Sequence, residues 1–119
     1  MAVSMDLEQG DEAWVLRVSG ELDYSECSGF RMHIDRILKA VPPATIVDLS
    51  ALEYLDSSGL GLLLSLSREY AAAGGRLVLV TNETVDGILE LTRLTGIFSI
   101  SSDVPEAMET VRDTRPRAG

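Results

Sequence analysis

A chain of 119 residues, 45% hydrophobic but only 5% aromatic, has room for one domain with a core of Leu, Val, Ile and Ala. Its formal net charge of −9 repels phosphate backbones and anionic headgroups, which argues against direct nucleic-acid or membrane binding and favours basic patches on a protein partner. Cys27 is the single cysteine, so an internal disulfide and a cysteine-based metal site are both excluded.

The opening MAVSMDLEQGDEAW has no basic region leading into an apolar run, so it does not read as a secretory signal. Val3 to Leu7 reads as a strand, with Gly10-Asp11 in a turn before the second strand, Trp14 to Gly20. In that second strand Trp14, Leu16 and Val18 share one face. Phe30, Ile34, Ile37, Leu38 and Val41 then recur at helical spacing until Pro42-Pro43 forbids continuation. Thr45 to Leu49 is a short β-branched run, followed by an expected loop from Ser50 to Leu55. Leucines at 60, 62, 63, 64 and 66 predict a helix buried nearly all round in its first half, and Gly74-Gly75 ends it. The apolar stretch from Leu60 to Leu66 is far short of the ~20 residues that span a bilayer, and a cytoplasmic protein is expected. Arg76 to Val80 is the next strand, Thr84 to Leu94 a helix with Gly96 as its stop, and Ile97 to Ile100 a last short strand. Asp103-Val104-Pro105-Glu106 has the form of an acidic capping pair with proline in the first turn of a final helix. This order predicts an α/β domain: a mixed, mostly parallel sheet of about five strands with about four helices, and the first hairpin as its antiparallel edge.

The surplus of polar and small residues in Asp56-Ser57-Ser58-Gly59-Leu60-Gly61 is where chemistry is sought, because binding sites in open α/β folds collect where strands lead into helix N-termini. The plain reading makes Ser57 the N-cap, its oxygen accepting from the amide of Gly59 or Leu60. Capping does not account for Gly59 and Gly61, which each lower helix propensity by ~1 kcal/mol and suggest close approach by another backbone. A phosphate on Ser57 fits such a helix start, where exposed amides and the dipole favour an anion. Its charge would fall near Asp56, and near Asp23 if the Glu21-Leu22-Asp23 loop lies alongside.

Glu21-Leu22-Asp23 after a strand, Val47-Asp48-Leu49-Ser50, and above all Leu55-Asp56-Ser57-Ser58-Gly59-Leu60-Gly61 resemble the STAS domain family, and within it the bacterial anti-sigma factor antagonists. The resemblance runs from about residue 5 to about residue 112 and implies one STAS domain over 1–113 with a flexible tail over 114–119. It further implies a protein that, unphosphorylated, binds an anti-sigma factor with serine kinase activity and so frees a sigma factor. Phosphorylation at Ser57 switches it off, and a serine phosphatase restores it. Asp56, Ser58, Gly59 and Leu60 would form the surface around the acceptor, with Asp23, Tyr24 and Ser25 as a neighbouring contact patch. No cofactor and no more than a weak dimer are expected.

An enzyme is not expected. The motif is not a G-x-S-x-G elbow, no lysine follows the glycines as in a P-loop, and the only histidine, His33, falls within a helix pattern. Asp48 and Asp56 alone do not make a metal site. The alternatives are a STAS accessory subunit of a lipid or anion transport system, and a scaffold of a stress-sensing complex. Elsewhere, Trp14 reads as a sheet anchor, Tyr70 as a helix side chain and Met108 as core filler. Leu60, Leu94 and Ile97 read either as core or as apolar contacts for a partner.

Overall fold

Trp14–Leu22, strand β2, decides how the sheet is covered. Leu16, Val18 and Leu22 are buried on one face with half-buried Trp14 beside them, while Val15 is buried on the other. A strand apolar on both faces belongs inside a sheet. In the computed structural model, which describes residues 3–113, β2 pairs antiparallel with β1 (Val3–Gln9), in register from Val3 opposite Gly20 to Gln9 opposite Trp14. Its first half pairs parallel with β3 (Ala44–Asp48), and its end, Gly20 to Leu22, pairs parallel with β4 (Leu52–Leu55). β5 (Arg76–Val80) and β6 (Ser99–Ser101) extend the sheet in parallel beyond β3, giving the order β1-β2-β3-β5-β6 with β4 beside β2. The expected mostly parallel sheet with an antiparallel first hairpin is therefore present, with six strands. The expected tail lies outside the described residues.

Helices α1 (Cys27–Ala40), α2 (Ser57–Ala72) and α3 (Glu83–Leu91) cover one face through Phe30, Ile34 and Ile37, then Leu62, Leu63, Leu66 and Tyr70, then Val85 and Leu89. The opposite face is covered by α4 (Val104–Arg112), whose Val104, Ala107, Met108 and Val111 pack on Ala13, Val15, Ala44, Ile46, Val78 and Val80. β3 shows the division residue by residue: Ile46 faces α4 and Val47 faces the other three helices.

Three segments depart from the sequence pattern. Leu52–Leu55 is a strand where a loop is expected. It has no β-branched residue, and what orders it is tertiary: Leu52 and Leu55 are buried, and the Gly20 amide donates to the Ala51 carbonyl at 3.3 Å. Val41, expected on the apolar face of α1, instead follows the helix in the left-handed region at φ 46, exposed. The proline after it disfavours the right-handed helical conformation there. α3 begins at Glu83 and stops at Leu91, three residues before the expected end, because Arg93 turns left-handed at φ 59 and Thr92 spends its hydroxyl on the Ile88 carbonyl at 2.8 Å. Residues Thr95–Ile97 then form a single 3-10 turn. α4 starts as its sequence predicts. Asp103 accepts from the Glu106 amide at 2.8 Å, and Glu106 accepts in return from the Ser102 amide at 3.0 Å.

Tyr70 is more than a helix side chain. It is fully buried, its hydroxyl donates to the Pro42 carbonyl and accepts from Thr45 Oγ1 at 3.1 Å, and its ring fills the space a Cβ on Gly75 would occupy. Burial also pushes the phenol pKa up, so the hydroxyl stays a donor. Tyr70→Phe leaves two buried polar groups without a partner, and urea unfolding is expected to show a loss of about 1–3 kcal/mol. Gly75→Ala should destabilise as well, since the new Cβ would lie 2.1 Å from the buried ring.

Candidate functional site

β2 and β4 end side by side, and their exits place two loops together. β4 runs directly into Asp56, which takes an extended conformation and caps α2. One carboxylate oxygen, Oδ1, accepts from the amides of Ser58 at 2.9 Å and Gly59 at 3.1 Å. The other, Oδ2, accepts from the Tyr24 amide at 3.0 Å, while the Asp56 amide donates to the Leu22 carbonyl at 3.3 Å. The N-cap is therefore Asp56 and not Ser57, as a carboxylate at the positive end of a helix favours. Ser57 is the first helical residue and its side chain is exposed. Among the described residues its hydroxyl has no hydrogen-bonded base, so it is presented to solvent or to an incoming protein.

The loop after β2 folds on its own acid. Asp23 Oδ1 accepts from the Ser25 amide at 3.0 Å and the Ser25 hydroxyl at 2.6 Å, making the short turn Tyr24–Glu26 from which α1 starts. The Ser25 hydroxyl, above all, lowers the Asp23 carboxyl pKa against the opposing effect of burial. Tyr24 stands out at the tip, 79% exposed. The Asp56 carboxylate thus ties the loop of Asp23, Tyr24 and Ser25 to the helix start at Ser57 and Ser58.

Gly59 and Leu60 do not belong to that surface. Leu60 is only 7% exposed and packs in the core, and Gly59 is buried, so neither presents a side chain to a partner. The reason for glycine at 59 is internal. An added Cβ would lie 2.7 Å from a methyl of Leu55 and 3.0 Å from Cγ of Leu22, so the glycine allows α2 to sit against the ends of β2 and β4. Gly61 differs: it is exposed and a Cβ there meets nothing within 4 Å, which opens one side of a helix expected to be buried all round. Of the other apolar candidates, Leu94 is half-buried against the core, while Ile97 is 55% exposed; Leu91, an apolar position of the same helix pattern, is 87% exposed.

A residue the sequence reading passed over holds the platform from below. The Asn82 side-chain amide donates to the carbonyls of Leu52 at 2.8 Å and Ser50 at 3.1 Å and approaches that of Leu49 at 3.4 Å, while Asn82 Oδ1 caps α3 by accepting from the Val85 amide at 2.9 Å. Asp48 adds a local turn by accepting from the Ser50 amide at 3.0 Å. Asn82-Glu83 is a recognisable helix start, but only the fold reveals that its other end grips the loop leading into β4.

Beside the start of α2 runs a groove of about 530 Å³ lined by Tyr24, Ser25, Cys27, Ser28, Arg31, Ser58 and Leu62. Cys27 donates to the Asp23 carbonyl at 3.3 Å, and burial followed by the carboxylates of Asp56 and Asp23 raises its pKa. A thiol so placed stays protonated and is a poor nucleophile. Among the described residues no group of three or more His, Cys, Asp or Glu is placed to hold a metal ion, and no helix is long and apolar enough to cross a membrane.

Two glycine substitutions separate packing from exposure. Gly59→Ala is expected to destabilise by about 1–3 kcal/mol through the Leu22 and Leu55 contacts, and Gly61→Ala to be neutral or to stabilise by up to ~1 kcal/mol, both read as shifts in the urea midpoint at unchanged slope. Asn82→Ala removes a cap and a loop clamp together and should cost about 2 kcal/mol or more in the same assay.

The sequence profile of the STAS domain matches residues 4–107. An anti-sigma F factor antagonist of Lysinibacillus sphaericus is 31% identical over 103 residues, which cover 85% of this chain and 87% of that protein. Among solved structures, an anti-sigma factor antagonist from Mycobacterium paratuberculosis superposes with a TM-score of 0.84 at 28% identity, covering 94% of this chain and 96% of that one. The Bacillus cell fate determinant SpoIIAA in its phosphorylated form superposes with a TM-score of 0.71, also at 28% identity, over 92% of this chain and 100% of that one. With the profile spanning nearly all the described residues and the same fold recurring at these identities, the chain belongs to the STAS domain family.

Proposed function

We propose that this protein is an anti-sigma factor antagonist acting in the cytoplasm. In the unphosphorylated state it binds an anti-sigma factor that is also a serine kinase and thereby frees a sigma factor; phosphorylation at Ser57 ends the interaction and a serine phosphatase restores it. The observation that carries this reading is the division of labour at the start of α2: Asp56 makes the structural hydrogen bonds, and Ser57, exposed beside it, makes none among the described residues. A hydroxyl with no structural duty can be modified without unfolding the domain. The names of the relatives, and a neighbour solved in a phosphorylated form, support the same reading.

In the transfer step Ser57 Oγ attacks the γ-phosphorus of the kinase's ATP, its proton passes to a base on the kinase, and ADP leaves. This chain supplies the acceptor and the docking surface: Asp23, Tyr24, Ser25, Asp56 and Ser58 around Ser57. Phosphoserine adds about −1.5 to −2 charge. At ~5 Å from a carboxylate of the partner, with an effective dielectric between about 20 and 80, each added unit costs about 1–3 kcal/mol. That is about tenfold to a hundredfold in affinity and is enough for a switch. The protein itself works as a monomer or weak dimer and as a regulator, not an enzyme.

Pull-downs from lysate of the source organism with wild type, Ser57→Ala and Ser57→Asp test the proposal. Recovery of a kinase-type anti-sigma factor by wild type and Ser57→Ala, with at least about tenfold less on Ser57→Asp, is the expected result. Recovery of lipid or anion transporter subunits, or of a large stress-sensing scaffold, indifferent to residue 57, would overturn it.

A further inference from the structure

A phosphate on Ser57 cannot be received in the usual way for a helix start. The amides of Ser58 and Gly59, which ordinarily cradle such an anion, are already bound to Asp56 Oδ1, and the Tyr24 amide of the adjoining loop is bound to Asp56 Oδ2. The nearby side chains with formal charge are mostly of the wrong sign: Asp23 and Asp56 flank the site. What remains is the groove alongside. Arg31, on the first turns of α1, is the only cation among the residues lining it, it is exposed, and it forms no ion pair or hydrogen bond with another described residue. The hydroxyls of Ser28, one turn before Arg31, and of Ser58, next to the acceptor, line the same groove and are also without a protein partner there. Arg31 and Asp56 both act electrostatically on Cys27, which lines the same groove.

We propose that Arg31, together with the Ser28 and Ser58 hydroxyls, is the receiving subsite for the phosphate carried by Ser57, so that the modified side chain lies back over the groove. This rests on Ser57 being the acceptor and adds what happens to the phosphate afterwards. A guanidinium offers a phosphate a planar pair of donors on a flexible stem, so a side chain free in one state and engaged in the other suits the role. The consequence is a switch with two parts. Phosphorylation adds negative charge at the docking surface, and it also withdraws the groove's single cation from any acidic group of the partner and fills the groove mouth between Tyr24 and Ser58.

The test installs phosphoserine at position 57 during translation, in the full chain, and follows its second ionisation by phosphorus NMR in wild type, Arg31→Gln, Arg31→Lys and Arg36→Gln. Arg36 is an exposed arginine on the same helix, about 140° around it from Arg31. An arginine at the phosphate favours the dianion, so Arg31→Gln is expected to raise the phosphate pKa by about half a unit. Arg31→Lys should keep part of that difference, and Arg36→Gln should leave the value at that of wild type. An unchanged pKa in Arg31→Gln, or an equal rise in Arg36→Gln, would overturn the proposal. Because the phosphate is supplied by the synthesis, the titration reads the subsite whether or not a cellular kinase uses Ser57, and a failed pull-down would leave this result standing on its own.

Discussion

The Asp56 carboxylate is the constraint on which the functional end of the domain depends. With one oxygen it closes the first turn of α2, and with the other it holds the Tyr24 turn that opens α1. Two helices that begin on different strands are thereby fixed to each other at their N-termini, on the rim where β2 and β4 end. Capping oxygens usually serve one helix. Here the second oxygen of the carboxylate is used across 32 positions of sequence, which ties the Tyr24 turn to the start of α2 through one side chain.

That side chain is itself placed by packing further down. β4 is four residues long and pairs with β2 alone, so its ladder is short and other contacts add to it. It is held by Leu52 and Leu55 in the core, by the glycine at 59 that lets α2 approach Leu55 and Leu22, and by Asn82 gripping the carbonyls of Ser50 and Leu52. α3 packs against β4 and starts at the same asparagine, so the helix and the loop it clamps form one unit. The result is a stiff support beneath an exposed hydroxyl.

Much of this fold could be read from spacing. The helical recurrence of Phe30, Ile34 and Ile37, the double glycine after Ala73, and the Asp103 to Glu106 start each have a local cause, and local causes are visible in a single sequence. β4 was not visible, because its strand character comes from burial and from pairing with β2 and not from Leu-Glu-Tyr-Leu itself. The same limit applies at the site. The motif from Asp56 to Gly61 and the Glu21 to Asp23 loop located it, but the reason residue 59 is glycine and the tie from Asp56 to the Tyr24 turn involve Leu22 and Tyr24, which meet the motif only once the two loops are brought together in the fold. Asn82 and Arg31 lay outside the motif for the same reason: their signals in sequence are an ordinary helix start and an ordinary charged helix position.

In the switch proposed for this protein, separating the structural group from the modified one accounts for an acid and a serine standing side by side at the helix start. Were Ser57 the cap, phosphorylation would remove a bond on which α2 depends, and the modified protein would lose stability along with affinity. With Asp56 as the cap, a modification of residue 57 would leave the bonds that start α2 in place. The arrangement has a cost in the other direction: the carboxylate that stabilises the helix also occupies the amides that would otherwise receive the phosphate, and it adds a like charge next to it. A phosphate proposed for such a platform needs a counter-charge from elsewhere in the fold, and Arg31 is the one cation among the residues that line the neighbouring groove.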